Sequence, residues 1–315
     1  MEVSGRGNLK MEMTLIVFRQ TLVMFLYMMA GFCLFKAGKL TVQGSRDIAT
    51  LLLWLVIPVV LINSFCVEFS LERLRQLLYS ALLGALVLLL AMVVARILYP
   101  KAPIEDFSAA FSNAGFMGIP LIQAAMGAEA VLYVAALIAL LNILQWTYGV
   151  GLMTGKKAAV SPKNILCNPI MFGTLVGVTL FVTGIGAHLP TVVRSTLQGL
   201  GALNAPLAML VLGCYLAQTE LSKLFTQLRL YGVSAVRLLV IPLLTLLLLW
   251  PLPISNEIKL AVFICASAPV GANVAVYAQL QGLDYPYACQ IVSLSTLLSV
   301  ICLPLMLLAA NGLLL

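Results

Sequence analysis

The feature that most constrains this chain is a succession of apolar windows, each about twenty residues or longer, of which SALLGALVLLLAMVVARIL at 80–98 is one. A helix needs about twenty apolar residues to cross roughly 30 Å of hydrocarbon, whereas a membrane barrel uses short alternating segments. With 62% hydrophobic and 9% charged residues among 315, too little polar surface remains to cover a soluble core. The sequence therefore predicts an all-α polytopic membrane protein. The first apolar run, about Thr14 to Phe35, has spanning length and leads directly into further spans, so it reads as a retained helix rather than a cleaved signal. The preceding MEVSGRGNLKMEM carries no functional signal.

Apolar windows and loop punctuation place ten spans, near 14–37, 43–65, 76–99, 105–126 and 130–153, then 164–184, 190–217, 230–250, 256–280 and 285–311. The only hinge between the two sets is the basic, Pro-containing TGKKAAVSPKN. The expected organisation is a first five-helix repeat at 1–153, a cytoplasmic loop at 154–163, and a second repeat at 164–315. An odd number of spans per half forces the second half to run upside down, which is a transporter architecture. Corresponding punctuation supports the pairing. Pro58 in span two answers Pro206 in span seven, and spans four and nine end at Gly127 and Gly282, each followed within two residues by an acid, Glu129 and Asp284. Loop charge orients the chain: Lys36, Lys39, Arg46, Arg96, Lys101, Lys156, Lys157, Lys163, Lys223 and Arg229 fall inside if the termini lie outside, against Arg6, Lys10, Arg73, Arg75, Arg194 and Lys259 outside. The net charge of +7 follows from that bias and gives no sign of nucleic-acid binding.

Span four contains FSNAGFMGIPLIQ and span nine contains APVGANVAVYAQ, so both carry helix-breaking residues and an amide side chain. Pro120 removes a backbone donor and crowds the preceding turn, which Gly115 and Gly118 weaken; Pro269, Gly271 and Asn273 do the same in span nine. Unpaired backbone at membrane depth is tolerated only where protein or a wet cavity satisfies it. Half-helices starting at such breaks point their N–H groups into the gap, where Asn113 and Asn273 add uncharged amides; the constellation reads as an anion site. A single kinked span, by contrast, commonly serves only close packing.

The charge inventory limits the chemistry. Arg19 and Arg237 are the basic residues within apolar windows, and snorkelling is the expected fate of each; one facing the cavity would instead pair with a second substrate carboxylate. No Asp or Glu occupies a mid-span position, and His188 lies in a loop, so a carboxylate proton relay finds no residues. There is no metal-protease motif or nucleophile constellation, which argues against an enzyme and predicts no cofactor. The seven cysteines lack metal or redox spacing and read as packing residues.

SNAGFMGIPLIQAAMGAEA, PVGANVAVYAQLQGLD and the STLLSVICLPLML of span ten resemble the auxin efflux carrier family, which includes plant auxin exporters and bacterial permeases for malonate, malate and similar acids. The resemblance runs over nearly the whole chain; Asn113, Met117, Gly118, Ile119 and Pro120 carry its most specific element. It implies a ten-span inverted repeat with broken helices four and nine crossing, a scaffold of spans one, two, six and seven, and a moving domain of the other six. By the same resemblance, Asn113 and the backbone from Gly115 to Pro120 would hold a carboxylate, and Pro269 to Asn273 would complete the crossing. Span five would add Asn142 and Gln145, for which helix-to-helix hydrogen bonding is the competing explanation. The long hydrophilic loop of the plant exporters is absent, which favours a dicarboxylate or other small organic acid over auxin. The expected function is elevator-type transport of such an acid across the cytoplasmic membrane, with termini extracytoplasmic. A coupling ion (H+ or Na+), a homodimer, a coupled transporter of another solute and a channel remain open.

Overall fold

The structure, a computed structural model, describes residues 2–155 and 168–314. The basic loop with Lys156, Lys157 and Lys163, the start of the sixth expected span and Cys167 lie outside the described residues. The described chain is helical, without a strand. Seven helices are long and apolar enough to cross a membrane: α1 (Thr14–Lys36), α2 (Val42–Ser64), α3 (Leu71–Leu98), α6 (Ala128–Thr154), α8 (Thr191–Gln218), α9 (Leu228–Leu249) and α12 (Tyr285–Leu314). α1 continues back to Glu2. Between them stand the shorter α4 (Pro103–Ala110), α5 (Ala114–Met126), α7 (Pro169–Val182), α10 (Asn256–Ser267) and α11 (Asn273–Leu280). Leu26, Trp54, Leu82, Phe172, Leu247 and Ile301 are exposed on the outside, the apolar coat that a multi-pass membrane protein presents to lipid.

Helix pairing follows side-chain size. α1 packs along α8, and α2 against α7; α3 packs along α6 and is joined by α4, while α12 receives α9, α10 and α11. The α1–α8 contact depends on glycine: a Cβ on Gly213 would lie 2.0 Å from the Met28 carbonyl oxygen, and one on Gly31 would lie 2.3 Å from that of Leu210. Backbones approach this closely only where side chains are missing.

Proline shapes the helices differently from a simple break. Pro120 was expected to kink or unwind its span; instead the helix widens ahead of it. Ala114–Gly118 is a π-turn, with the Ile119 N–H bonded to the Ala114 carbonyl. Leu52–Val56 and Val236–Val240 are likewise π-turns before Ile57-Pro58 and Ile241-Pro242. A proline cannot donate to the carbonyl four residues back, so the preceding Ile reaches five back and the ladder absorbs one extra residue. The non-helical residues lie upstream of Pro120, at Phe111–Asn113, and between α10 and α11 at Ala268–Ala272. α5 and α11 both run out to glycines of positive φ, Gly127 at 91° and Gly282 at 67°, a conformation that costs other residues more.

Glu105 and Asp106 stand at a helix start, as hydropathy expects, but they are not solvent-facing. Placed at a span end by hydropathy, both are buried in α4. Asp106 Oδ2 meets Arg96 at 3.1 Å, and Glu105 pairs with Arg229 while accepting the Tyr287 hydroxyl at 3.0 Å. At about 1.5 Å per helical residue they stand roughly 6–7.5 Å before the end of α4.

Candidate functional site

The two non-helical segments meet. The Asn113 N–H donates to the Pro269 carbonyl at 2.8 Å, and the Gly271 N–H donates to the Phe111 carbonyl at 3.0 Å. Ser112 and Val270 thus pair as an isolated antiparallel bridge, each segment supplying partners for backbone the other's helices leave unpaired. The Val270 N–H finds the Ser295 hydroxyl of α12 at 3.2 Å. A Cβ on Gly271 would come within 3.2 Å of the Phe111 and Ser112 carbonyl oxygens, so any larger residue would push the crossing segments apart by a few tenths of an ångström.

Beside the crossing is a cavity of about 30 Å³, lined by Ser112, Asn113, Gly115, Phe116, Asn142, Gln145, Gly271, Ala272 and Asn273, with Leu53, Ile57, Leu141 and Ile170 closing it. It lies where α5 and α11 begin. The first N–H groups of a helix have no partner within it and carry partial positive charge. A larger cavity of about 310 Å³ adjoins it, sharing Leu53, Asn142, Ile170 and Asn273 and adding Trp54, Trp146, Asn168, Pro169, Val276 and Tyr277. Trp54 and Trp146 are exposed, so this vestibule is not sealed. Among the described residues no charged side chain lines either cavity.

Of the residues singled out from sequence, Asn113, Gly115, Gly271, Asn273, Asn142 and Gln145 line the small cavity together. Asn273 Nδ2 donates to Gln145 Oε1 at 2.8 Å, so α11 and α6 hold each other's amides in register. Asn142 Nδ2 bonds back to the Ile138 carbonyl at 2.8 Å, which fixes the rotamer and leaves its oxygen unspent in that bond. Asn113 is 5% exposed and its Nδ2 has no hydrogen-bond partner. Gly118, Pro120 and Pro269 stand outside the lining and shape the crossing: a Cβ on Gly118 would lie 2.9 Å from Cys265 Sγ of α10, Pro120 follows the π-turn, and Pro269 supplies a carbonyl.

One polar residue here escaped the sequence reading, and another has a different role from the one expected. Asn204 of α8, 1% exposed, donates to the Gly115 carbonyl at 3.1 Å and ties α8 to the start of α5. Its signal was an uncharged polar residue two before Pro206 in an apolar span. Arg237, expected to snorkel, is instead 1% exposed and bonded to main-chain carbonyls at the crossing. Arg19, by contrast, is exposed on α1. Among the described residues no group of three or more His, Cys, Asp or Glu side chains could hold a metal ion.

Against known proteins, the family model described as membrane transport protein, that of the auxin efflux carriers, matches residues 16–307. No curated protein matches the chain.

Proposed function

The chain belongs to the membrane transport protein family, that of the auxin efflux carriers, and is a membrane transporter; from that premise we propose that it carries a small organic anion across the cytoplasmic membrane by alternating access. The observation that carries this reading is the buried, unpartnered Asn113 amide nitrogen in a cavity lined by amides and two helix N-termini. A buried polar group without a partner costs about 1–3 kcal/mol, which a carboxylate oxygen would recover. The helix N-termini stabilise negative charge without adding a mobile counter-ion.

The same lining narrows the substrate. A second carboxylate would need a cation or several donors, and among the described residues neither cavity offers a charged side chain. The apolar and aromatic vestibule therefore favours a singly charged acid with an apolar body over malonate or malate. Five helical passes in each half, with α4 and α5 forming one interrupted pass and α10 and α11 another, form the inverted repeat in this reading. Reciprocal packing supports it: α1 on α8 answers α7 on α2, and α3 on α6 answers α9 on α12. α1, α2, α7 and α8 serve as scaffold, and α3–α6 with α9–α12 move as an elevator. The loop charges put the termini outside and the vestibule toward the cytoplasm.

The test is counterflow in proteoliposomes of the full chain with benzoate, phenylacetate, malonate and malate. Saturable, trans-stimulated phenylacetate uptake exceeding that of malonate is expected. Asn113→Ala and Asn273→Ala should each lower it roughly ten- to a hundredfold, as losing a hydrogen bond to a charged group costs about 1.5–3 kcal/mol, with melting temperatures near wild type. No trans-stimulated flux of any of the four acids would remove the carrier reading; wild-type flux in both variants would remove the site.

A further inference from the structure

The side of the crossing away from the small cavity is organised around Arg237 of α9. Its Nη1 donates to the Ala109 carbonyl at 3.0 Å and the Ala110 carbonyl at 3.4 Å, and its Nη2 donates to the Ala266 carbonyl. These oxygens belong to the last turns of α4 and α10, the two helices that end at the crossing. Among the described residues no carboxylate pairs with Arg237. A helix C-terminus carries about half a negative charge. Two such ends brought together therefore present close to one full negative charge, and the guanidinium supplies one positive charge to match it. Its planar fork reaches oxygens from both helices at once. Ser112 stands between this group and the small cavity, contributing to the lining on both sides.

We propose that Arg237 is a resident countercharge, a positioning residue that clamps the C-terminal ends of α4 and α10 and fills the place an exchangeable cation would otherwise have to take. The helix N-termini of α5 and α11 are thereby left to act on the substrate without the opposing negative ends beside them. The substrate anion then moves without a cosubstrate cation. This inference rests on the transport reading above, and the measurements separate the two.

Phenylacetate counterflow and melting temperature are compared for wild type, Arg237→Lys, Arg237→Met and Arg237→Ala in sodium chloride and in choline chloride of equal ionic strength. Wild type should be indifferent to the salt in both measurements. Arg237→Met, similar in reach but uncharged, should lose at least tenfold in flux and melt lower, while Arg237→Lys, which keeps the charge without the fork, should retain more of both. Arg237→Ala exposes the three carbonyls and should melt higher in sodium than in choline, a response that loss of packing alone would not produce. A tenfold fall in wild-type flux on replacing sodium by choline would overturn the proposal. So would Arg237→Met matching wild type in both measurements, or a folded Arg237→Ala indifferent to sodium. Should wild type not carry phenylacetate, the transport reading fails, whereas the melting comparisons still decide the role of Arg237. Should the Met and Ala variants not fold, the wild-type salt comparison decides it.

Discussion

At the scale of single residues, the crossing depends on atoms that are missing as much as on atoms that are present. Gly118 faces Cys265 so closely that a methyl group would meet the sulfur at 2.9 Å. Overpacking of this kind typically costs about 1–3 kcal/mol. Gly118→Leu should therefore abolish phenylacetate counterflow and lower the melting temperature, and the milder Gly118→Ala should reduce both. The double variant Gly118→Ala with Cys265→Gly removes the thiol side chain that the new methyl would meet and should recover most of the Gly118→Ala loss. Failure of the double variant to recover either measurement would mean that Gly118 acts through something other than its contact with Cys265. Asn113 and Asn273 were legible as amides among apolar neighbours, because a polar group is conspicuous in a span, whereas Asn142 and Gln145 came from the family resemblance. Arg237 was visible as a charge but not as a clamp. Its partners are main-chain carbonyls of Ala109, Ala110 and Ala266, and a carbonyl has no signature in a sequence.

At the scale of elements, the three Ile-Pro pairs at 57–58, 119–120 and 241–242 each follow a π-turn. Proline chemistry forecasts a disturbance at these positions but not its form. A kink and a widened turn both accommodate the missing N–H, and the choice depends on what the neighbouring helices allow. In α5 the π-turn begins at the cavity, so the extra residue sets which face Gly115 and Phe116 present to it. Pro120→Ala restores the donor and lets the ladder close to α-helical spacing, rotating those residues by about 100° of helix at 3.6 residues per turn. The expected result is a melting temperature equal to or above wild type, with phenylacetate counterflow reduced about tenfold. Loss of stability together with flux would instead show that the proline holds the fold. The span ends were less legible than the interruptions. Hydropathy placed Glu105 and Asp106 at a span end, where the first turn of α4 indeed holds them, but not their burial, which Arg96, Arg229 and Tyr287 make possible.

At the scale of the whole molecule, one negative charge crossing about 100 mV gains or loses roughly 2.3 kcal/mol, about a fiftyfold gradient, so outward movement of an anion needs no further energy source. The mechanism requires only that the proposed moving helices slide past the scaffold. Among the described residues, polar ties between the two groups include neutral ones: Asn311 Nδ2 to Thr14 Oγ1 at 3.0 Å, the Tyr285 hydroxyl to Gln218 Oε1 at 3.1 Å, and Asn204 to the Gly115 carbonyl. Each such bond is worth about 0.5–1.5 kcal/mol net, small enough to exchange during a cycle. Within the scaffold, by contrast, α1 and α8 touch backbone to backbone at Gly31 and Gly213. A covalent link between the groups should therefore stop transport, and one within the moving group should not. In a background with the seven native cysteines replaced, Thr14→Cys with Asn311→Cys joins α1 to α12 when closed by a short reducible bifunctional thiol reagent. Arg73→Cys with Glu129→Cys, whose native side chains lie 3.7 Å apart, joins α3 to α6 within the moving group. Counterflow should fall at least tenfold for the first pair and return on reduction, while the second keeps its rate. Undiminished flux through a fully linked first pair would mean that α1 and α12 travel together, and the division into scaffold and moving groups would have to be redrawn.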